Sequence, residues 1–171
     1  MSAEARLTEL GLVLPSPTAP GGAFVAARYA GDQLHVSGRG PVRADGTFVR
    51  GKLGADLTLE QGREAARLAA LGVLSVLRAE LGTLDRVVSI ARVVGYVNCA
   101  PGFNDTPAVM DGCSLLLLDV LGRAGRHARS AVGVAELPFD MAVEIEVTAI
   151  AGRGAGVVVG PGVNVPLSTA W

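Results

Sequence analysis

The sequence predicts a single α+β domain, a two-layer sandwich with the element order β-β-α-β-α-β-β. Two segments carry apolar residues at helical spacing, and the segments around them are rich in the valine and isoleucine that are typical of strands. Two helices can cover only one face of the resulting sheet. Because residues 84–98 are apolar on both alternating sets of positions, we expect a symmetric oligomer to cover the second face.

The length predicts one domain. A chain of 171 residues can bury one well-filled core, and no linker interrupts the first 150 positions, so we expect a domain over 1–152. The remaining residues, 153–171, are rich in glycine, valine and proline without helical or alternating periodicity. We interpret them as a C-terminal tail that is flexible or lies over a neighbouring subunit.

Composition excludes several function classes. Hydrophobic residues make up 50% of the chain and charged residues 18%, which argues against disorder. The net charge is -1 and no basic run occurs, so we expect no nucleic-acid partner. Charged residues, prolines and glycines interrupt every apolar stretch before it could span a membrane. The N-terminus has no pattern of a secretory signal, so the expected location is the cytoplasm.

The first elements are a short helix and a hairpin. Residues 3–12 predict a helix that ends near Gly11, before a proline-rich segment that cannot continue it. Strands over 24–29 and 33–37 flank a short turn. A second turn at Asp45-Gly46 connects two shorter extended pieces.

Two helices carry the most regular patterns. A helix over 58–81 begins with Thr58 followed three residues later by Gln61, which is the spacing of a capping box. The second helix begins with Pro107 at its first position and ends at Gly122.

The last two strands are predicted over 127–135 and 141–151. The five residues between them suit a hairpin, which would pair the two strands, or a wide turn.

One arginine interrupts the first of these two strands. Arg129 lies among small residues, sharing its face with Ala131 and Gly133, and a buried arginine must find an anion or reach solvent. The planar guanidinium binds a carboxylate through two hydrogen bonds, so this pattern predicts a pocket for a small carboxylic acid. A purely structural Arg–Glu pair is the alternative interpretation.

Two glutamates share one face of the last strand. If the last two strands pair, either Glu144 or Glu146 could approach Arg129. A carboxylate there could order a water molecule or relay a proton. A glutamate that only holds the arginine in place fits the same pattern.

Other polar residues do not form a recognisable catalytic or metal site. His127 and Ser130 are three residues apart on a strand and therefore face opposite sides, which excludes a catalytic triad built on them. Cys99 and Cys113 show no CxxC spacing, and the second histidine, His35, is on another strand. We therefore expect no metal site.

Several motifs together resemble the RidA/YjgF family, whose members include reactive intermediate deaminases. The closing segment Ala-Arg-Ser-Ala-Val-Gly-Val-Ala-Glu-Leu-Pro at 128–138, followed by Val-Glu-Ile-Glu at 143–146, is similar to the closing signature of the family. Residues 22–24, Gly31, residues 36–38 and Pro41 agree with it. The resemblance covers about residues 14–152.

The resemblance implies a fold, an assembly and a reaction. It implies the fold of the trimeric bacterial chorismate mutases and a homotrimer with a ligand cleft where subunits meet. In the deaminating members the arginine that matches Arg129 binds the carboxylate of a 2-imino acid, which is hydrolysed to a 2-keto acid and ammonia. Glu144 matches the glutamate near the reacting centre, and the reaction requires no metal or organic cofactor.

Some positions depart from the deaminase pattern. Phe24 stands where tyrosine is common, Arg39 follows Ser37-Gly38 where glutamine is usual, Ala131 replaces a frequent cysteine, and Asp111 lies near where the family has asparagine. The expected site comprises Arg129 and Glu144 as catalytic residues, with Arg129, Phe24, Ser37, Gly38, Arg39, Asp111 and Ala131 binding the substrate. A non-catalytic metabolite-binding or regulatory trimer is the alternative function. Endoribonuclease activity is least favoured because the chain has no basic stripe.

Overall fold

The computed structural model of the chain describes residues 1–17 and 22–151. The predicted tail over 153–171 lies outside the described residues. The main elements are helices α1 (Ala3–Glu9), α2 (Leu59–Leu81) and α3 (Thr106–Leu121) and strands β1 (Ala27–Ala30), β2 (Gln33–Arg39), β3 (Val87–Asn98), β4 (Ala128–Val134) and β5 (Val143–Ala151).

The predicted α+β fold class and element order are confirmed. The five strands form one sheet in the order β1-β2-β5-β3-β4, in which only β3 and β4 run parallel. Helices α2 and α3 pack against each other and against the same face of this sheet. The core lies between the two layers, and the opposite face of the sheet, called the open face below, has no layer over it within the described chain.

The last two strands do not pair with each other. β3 lies between them, because its 12 residues offer backbone groups on both edges: Val93 is registered with Arg129 of β4 on one side and with Val147 of β5 on the other. The connection from β4 to β5 passes the end of β3, where the Asn98 N–H donates to the Ala142 carbonyl at 2.9 Å. The loop length alone could not reveal this crossing.

Two strand details also differ from the prediction. β1 begins at Ala27, so Phe24 lies in the irregular segment before it. Strict alternation along β3 would put Ala91 on the same face as Val93, but Val93 and Ile90 are buried and Ala91 is exposed. The pairing with β5 shifts register between Ile90 and Arg92, and such a bulge reverses which residues face the core. The open face therefore carries Arg92 and is less apolar than predicted.

The capping box predicted for α2 is confirmed. The Gln61 N–H donates to the Thr58 hydroxyl at 3.3 Å, and the Thr58 N–H donates to the Gln61 side chain at 2.9 Å. The helix ends at Gly82 in the left-handed conformation, with φ of 79°. α3 begins one residue before Pro107 and ends before Gly122, close to the predicted bounds.

The two long helices approach closely enough for backbone contact. A Cβ atom added to Gly112 of α3 would lie 2.0 Å from the Arg63 carbonyl oxygen of α2. Four alanines of α2 are fully buried in the core: Ala65, Ala66, Ala69 and Ala70. This close packing fixes the position of α3 over β4, which determines where the polar side chains of α3 lie. Among the described residues no helix is long and apolar enough to cross a membrane.

Candidate functional site

The guanidinium of Arg129 lies between the edge strand β4 and helix α3. Its Nη1 donates to the Asp111 carboxylate at 3.0 Å and to the Ser114 hydroxyl at 2.9 Å, and its Nη2 donates to the Pro107 carbonyl at 3.1 Å. All three acceptors belong to α3. Arg129 is registered with the buried Val93 of β3, which puts it on the helix side of the sheet.

Small residues and one hydroxyl hold α3 against β4. The Thr106 hydroxyl donates to the Ala131 carbonyl at 3.1 Å, so the first residue of α3 is tied to the strand. Gly133 packs beside Cys99 and Thr106, where a Cβ atom would lie 3.2 Å from the Cys99 sulfur. The small neighbours identified in the sequence therefore allow α3 to approach β4. The side chain of Arg129 extends along the helix.

Arg129 retains hydrogen-bonding capacity. A guanidinium has five N–H donors, of which Asp111, Ser114 and Pro107 use three. The Nε–H and one Nη2–H have no partner among residues 1–17 and 22–151. The Arg129 side chain is 21% exposed and that of Asp111 45%, so solvent reaches both. The structural partner of the arginine is thus an aspartate, and neither glutamate of β5 pairs with it.

Two residues outside the site expected from the sequence, Ser114 and His127, complete this group. His127 Nε2 lies 3.0 Å from the Ser114 hydroxyl, and His127 Nδ1 lies 2.6 Å from the Gly125 carbonyl. His127 therefore pairs with Ser114. We call Asp111, Ser114, His127 and Arg129 the Arg129 cluster. Ser114 follows Asp111 by three residues, which places both on one helix face. This spacing was the sequence feature that could have linked Ser114 to the expected site.

Glu144 lies on the other side of the sheet. It alternates along β5 with Val143 and Ile145, which are fully buried under the helices, so its side chain is directed to the open face. Arg129 is directed to the helix side. One chain therefore does not bring the two expected catalytic residues together.

Gly38 and Glu144 are in close contact. A Cβ atom on Gly38 would lie 2.0 Å from Glu144 Oε1, so only glycine leaves room for the carboxylate in this position. Burial of the half-buried side chain raises the pKa of Glu144, and the nearby charge of Glu146 raises it further. The carboxyl group consequently holds its proton to a higher pH than an exposed glutamate does.

The segment before β1 is anchored next to Gly38. The Ser37 hydroxyl donates to the Val25 carbonyl at 2.7 Å, and the Ser37 N–H donates to the Ala26 carbonyl at 3.0 Å. Phe24 immediately precedes these contacts and is 57% exposed. We call Phe24, Ser37, Gly38 and Glu144 the Glu144 cluster.

Arg39 belongs to neither cluster. It follows the irregularity in the pairing of β2 with β5, and its side chain lies over Gly72 of α2 on the helix side. Burial lowers the pKa of Arg39. The expected substrate-binding residues are thus divided between the two faces, with Asp111 and Ala131 on the Arg129 side.

A cavity of about 610 Å³ opens at the ends of β3 and β4, beside the start of α3. Its walls include Lys52, Cys99, Phe103, Thr106 and Gly133. Thr106 directly precedes Pro107, whose carbonyl accepts from Arg129, but no residue of the Arg129 cluster lines this cavity. Within the described chain no three histidine, cysteine or acidic residues are grouped to hold a metal ion.

Comparisons with known proteins agree with this architecture. The chain is 46% identical over 143 residues to Protein TCP17 of Trypanosoma cruzi, covering 83% of this chain and 89% of that protein. The structure of Atu1372 of Agrobacterium tumefaciens, a protein of unknown function, is 36% identical with a TM-score of 0.82, covering 88% of this chain and 92% of the other. A Shewanella oneidensis structure described as a "putative endoribonuclease" is 34% identical with a TM-score of 0.85, covering 88% of this chain and 99% of the other.

A more distant likeness shows the fold alone. Escherichia coli TdcF, whose structure contains bound serine, is 24% identical with a TM-score of 0.58, covering 82% of this chain and 96% of the other. The family described as "YjgF/chorismate mutase-like, putative endoribonuclease" matches residues 4–149, which is most of the chain. The fold, the closing motif around Arg129 and this match agree, and the chain belongs to the YjgF/RidA family.

Proposed function

We propose that this protein hydrolyses small 2-imino acids to 2-keto acids and ammonia in clefts between the subunits of a cytoplasmic homotrimer. The observation that carries the proposal is the guanidinium of Arg129, which α3 holds at the sheet edge with two N–H donors unused. Two donors on one planar group match the two oxygens of a carboxylate.

Carboxylate binding at Arg129 is compatible with the Asp111 pair. Nearly half of the Asp111 side chain is exposed, so a displaced Asp111 carboxylate is solvated at little cost. A ligand carboxylate can therefore bind beside Asp111 or replace it.

The positions of the two clusters support the proposed assembly. β4 is an edge strand with one side unpaired within the described chain, and the open face of the sheet lacks a covering layer. A neighbouring subunit that covers the edge of β4 with its open face brings its own Glu144 towards Arg129. Repeating this head-to-tail contact around a threefold axis closes a trimer with three equivalent clefts.

The chemistry requires positioning more than activation. An imine carbon is already electrophilic, so an anchored carboxylate and a held water molecule supply most of what hydrolysis needs. Because its pKa is raised, Glu144 is partly protonated nearer to neutral pH than an ordinary glutamate and can both accept and donate a proton. No metal or organic cofactor takes part in this scheme.

The test follows the decay of 2-iminopropanoate that a second enzyme generates in the same solution. We expect the wild-type protein to accelerate the decay and Arg129→Met to lose about 100-fold or more of that acceleration, because a charge-assisted pair is removed. Arg129→Lys is the matched variant that keeps the charge but not the planar pair of donors. Circular dichroism and Tm should show that all three proteins are folded.

Either of two results would overturn the proposal: no acceleration by the wild type, or full acceleration by Arg129→Met.

The second candidate function is a non-catalytic metabolite-binding trimer, favoured by Phe24, which has no hydroxyl to offer a substrate. For that function, pyruvate raises the Tm of the wild type but not of Arg129→Met, and no turnover occurs.

A further inference from the structure

We infer that Ser114 and His127 form a proton relay beside Arg129, which takes a proton from the attacking water and delivers it to the leaving nitrogen. This inference rests on the proposed imine hydrolysis and names the residues that move its protons. It starts from a chain of three hydrogen bonds that runs from Arg129 through Ser114 and His127 to the Gly125 carbonyl.

The partners determine the direction of each hydrogen bond. The Gly125 carbonyl can only accept, so the proton of a neutral His127 ring lies on Nδ1 and Nε2 is left as an acceptor. Arg129 Nη1 can only donate, so the Ser114 oxygen accepts from it. The Ser114 O–H then points to His127 Nε2 at 3.0 Å. A hydroxyl is thus aligned on a free base, which is the arrangement that general-base catalysis uses.

The charges around the pair support proton removal. The Arg129 guanidinium, 2.9 Å from the Ser114 oxygen, stabilises negative charge that develops on that oxygen. Asp111, 3.0 Å from the same guanidinium, offsets the repulsion that a protonated His127 would experience from Arg129. Ser114, His127 and Asp111 are all partly exposed, so a water molecule can approach the serine.

The relay balances the hydrolysis. Water adds to the iminium carbon and forms a new C–O bond while one of its protons passes to the Ser114 oxygen, whose own proton moves to His127 Nε2. The reverse transfer puts this proton on the nitrogen. The C–N bond then breaks while the proton of the new hydroxyl group passes to the relay and the C=O bond of the keto acid forms. The departing ammonia takes that second proton from His127 through Ser114 and leaves as ammonium, so both protons of water reach the nitrogen and no further reactant is required.

The position of the relay complements that of Glu144. Within one chain Glu144 is on the opposite face of the sheet. The groups beside Arg129 that can accept a proton are therefore His127 and Asp111, and Asp111 is already paired with the guanidinium. If the neighbouring subunit supplies Glu144, the substrate is held between a carboxyl group on one side and the relay on the other. His127 acts through Ser114 and is therefore a positioning and relay residue, whereas Ser114 contacts the reacting water.

The decisive variant is His127→Gln in the full-length protein. A glutamine amide oxygen can accept the Ser114 O–H but cannot take its proton, so a structural role survives and a relay role does not. We expect kcat for 2-iminopropanoate hydrolysis to fall about 100-fold. The Kd for pyruvate, which reports on Arg129, should stay within about twofold of wild type because the bonds to Arg129 are retained.

Three further variants separate the relay from packing. Ser114→Ala should lower kcat as His127→Gln does, and Ser114→Thr, which keeps the hydroxyl, should restore most of it. His127→Ala opens space at the ring position, and added imidazole should recover part of its kcat in a concentration-dependent manner. Undiminished kcat in His127→Gln overturns the relay. A fall in kcat in His127→Gln that is accompanied by lost pyruvate binding also overturns it, if imidazole does not restore the kcat of His127→Ala.

The outcomes distinguish the two proposals. If the wild type does not accelerate 2-iminopropanoate decay, the proposed function and the relay both fail. If the wild type is active and Arg129→Met is not, while the Ser114 and His127 variants keep full kcat, only the relay fails.

Discussion

The Arg129 cluster and the Glu144 cluster differ in how complete they are within one chain. The guanidinium of Arg129 has three acceptors from α3, and Ser114 and His127 are hydrogen-bonded in turn. The side chain of Glu144 has no hydrogen-bond partner among the described residues. Its carboxylate lies against Gly38, in the space that a Cβ atom would otherwise fill. Within one chain, the guanidinium is thus preorganised by its own helix, whereas the carboxyl group on the other face lacks side-chain partners.

The two faces of the sheet give the clusters different environments. A strongly solvated cation is stabilised where hydrogen-bond acceptors are concentrated, and the start of α3 provides them. A carboxyl group used for proton transfer benefits from partial desolvation, which raises its pKa towards the working range. Joining two such environments from different subunits makes both available to one ligand.

The largest expected effect comes from mixing two inactive variants. We expect Arg129→Met and Glu144→Gln each to have little activity alone. In trimers reassembled from equal amounts of both, about a quarter of the clefts receive an intact Arg129 from one subunit and an intact Glu144 from its neighbour. Activity should therefore recover to about a quarter of the wild-type value in the assay of 2-iminopropanoate decay. Light scattering before and after mixing controls for assembly, and a mixture no more active than its components would show that the clefts are not shared.

A smaller effect is expected when Gly38 is changed to alanine. The new Cβ atom would lie 2.0 Å from Glu144 Oε1 and displace the carboxylate, which is the free end of a flexible side chain. We expect kcat to fall about 10-fold while the free energy of unfolding changes by about 1 kcal/mol or less. Gly72→Ala in α2 is the matched control, because its Cβ atom meets only ordinary contacts and alanine favours the helix. Loss of stability comparable to a core defect in Gly38→Ala would contradict this account of the contact.

The smallest effect concerns the pH dependence of stability. Burial, and then Glu146, raises the pKa of Glu144 above its ordinary value of 4.5, so the folded chain binds this proton more tightly than the unfolded chain. The resulting stabilisation is complete below pH 4.5 and is lost as the pH rises through the folded-state pKa. Glu144→Gln should therefore gain stability relative to wild type between pH 4.5 and pH 7, by a small amount because solvent screens a half-buried group. Thermal unfolding across this pH range measures the difference.

Glu146→Gln serves as the control for that measurement. It removes only the secondary cause of the raised Glu144 pKa, so its stability should change with pH in the same direction but less than that of Glu144→Gln. An opposite sign in either variant would mean that Glu144 is stabilised in its charged form, as by a cation from a neighbouring subunit.

Sequence reasoning predicted features that depend on near neighbours along the chain. The capping box at Thr58 and Gln61 involves residues three positions apart, and helix geometry alone brings them into contact. Arg129 was identifiable because a long cation among alanine and glycine is unusual in a strand. Glu144 was placed opposite Val143 and Ile145 by simple alternation, which the structure confirms.

Features that depend on distant segments could not be predicted. The packing of α3 and β5 determines three such features: the strand beside β4, the residues that accept from Arg129 and the position of the bulge in β3. These contacts join residues that are far apart in the chain. His127 illustrates the limit, because its local neighbours excluded Ser130 but did not indicate Ser114.

By itself the sequence determined the element order, the family and the two residues on which the proposed chemistry depends, because these follow from local periodicity and from a motif within one segment. Only the tertiary structure decided that Arg129 and Glu144 lie on opposite faces and that Ser114 and His127 adjoin the arginine. The physical reason is that β3 pairs on both edges and separates the last two strands, so the face and the partners of each side chain follow from the packing of the whole sheet.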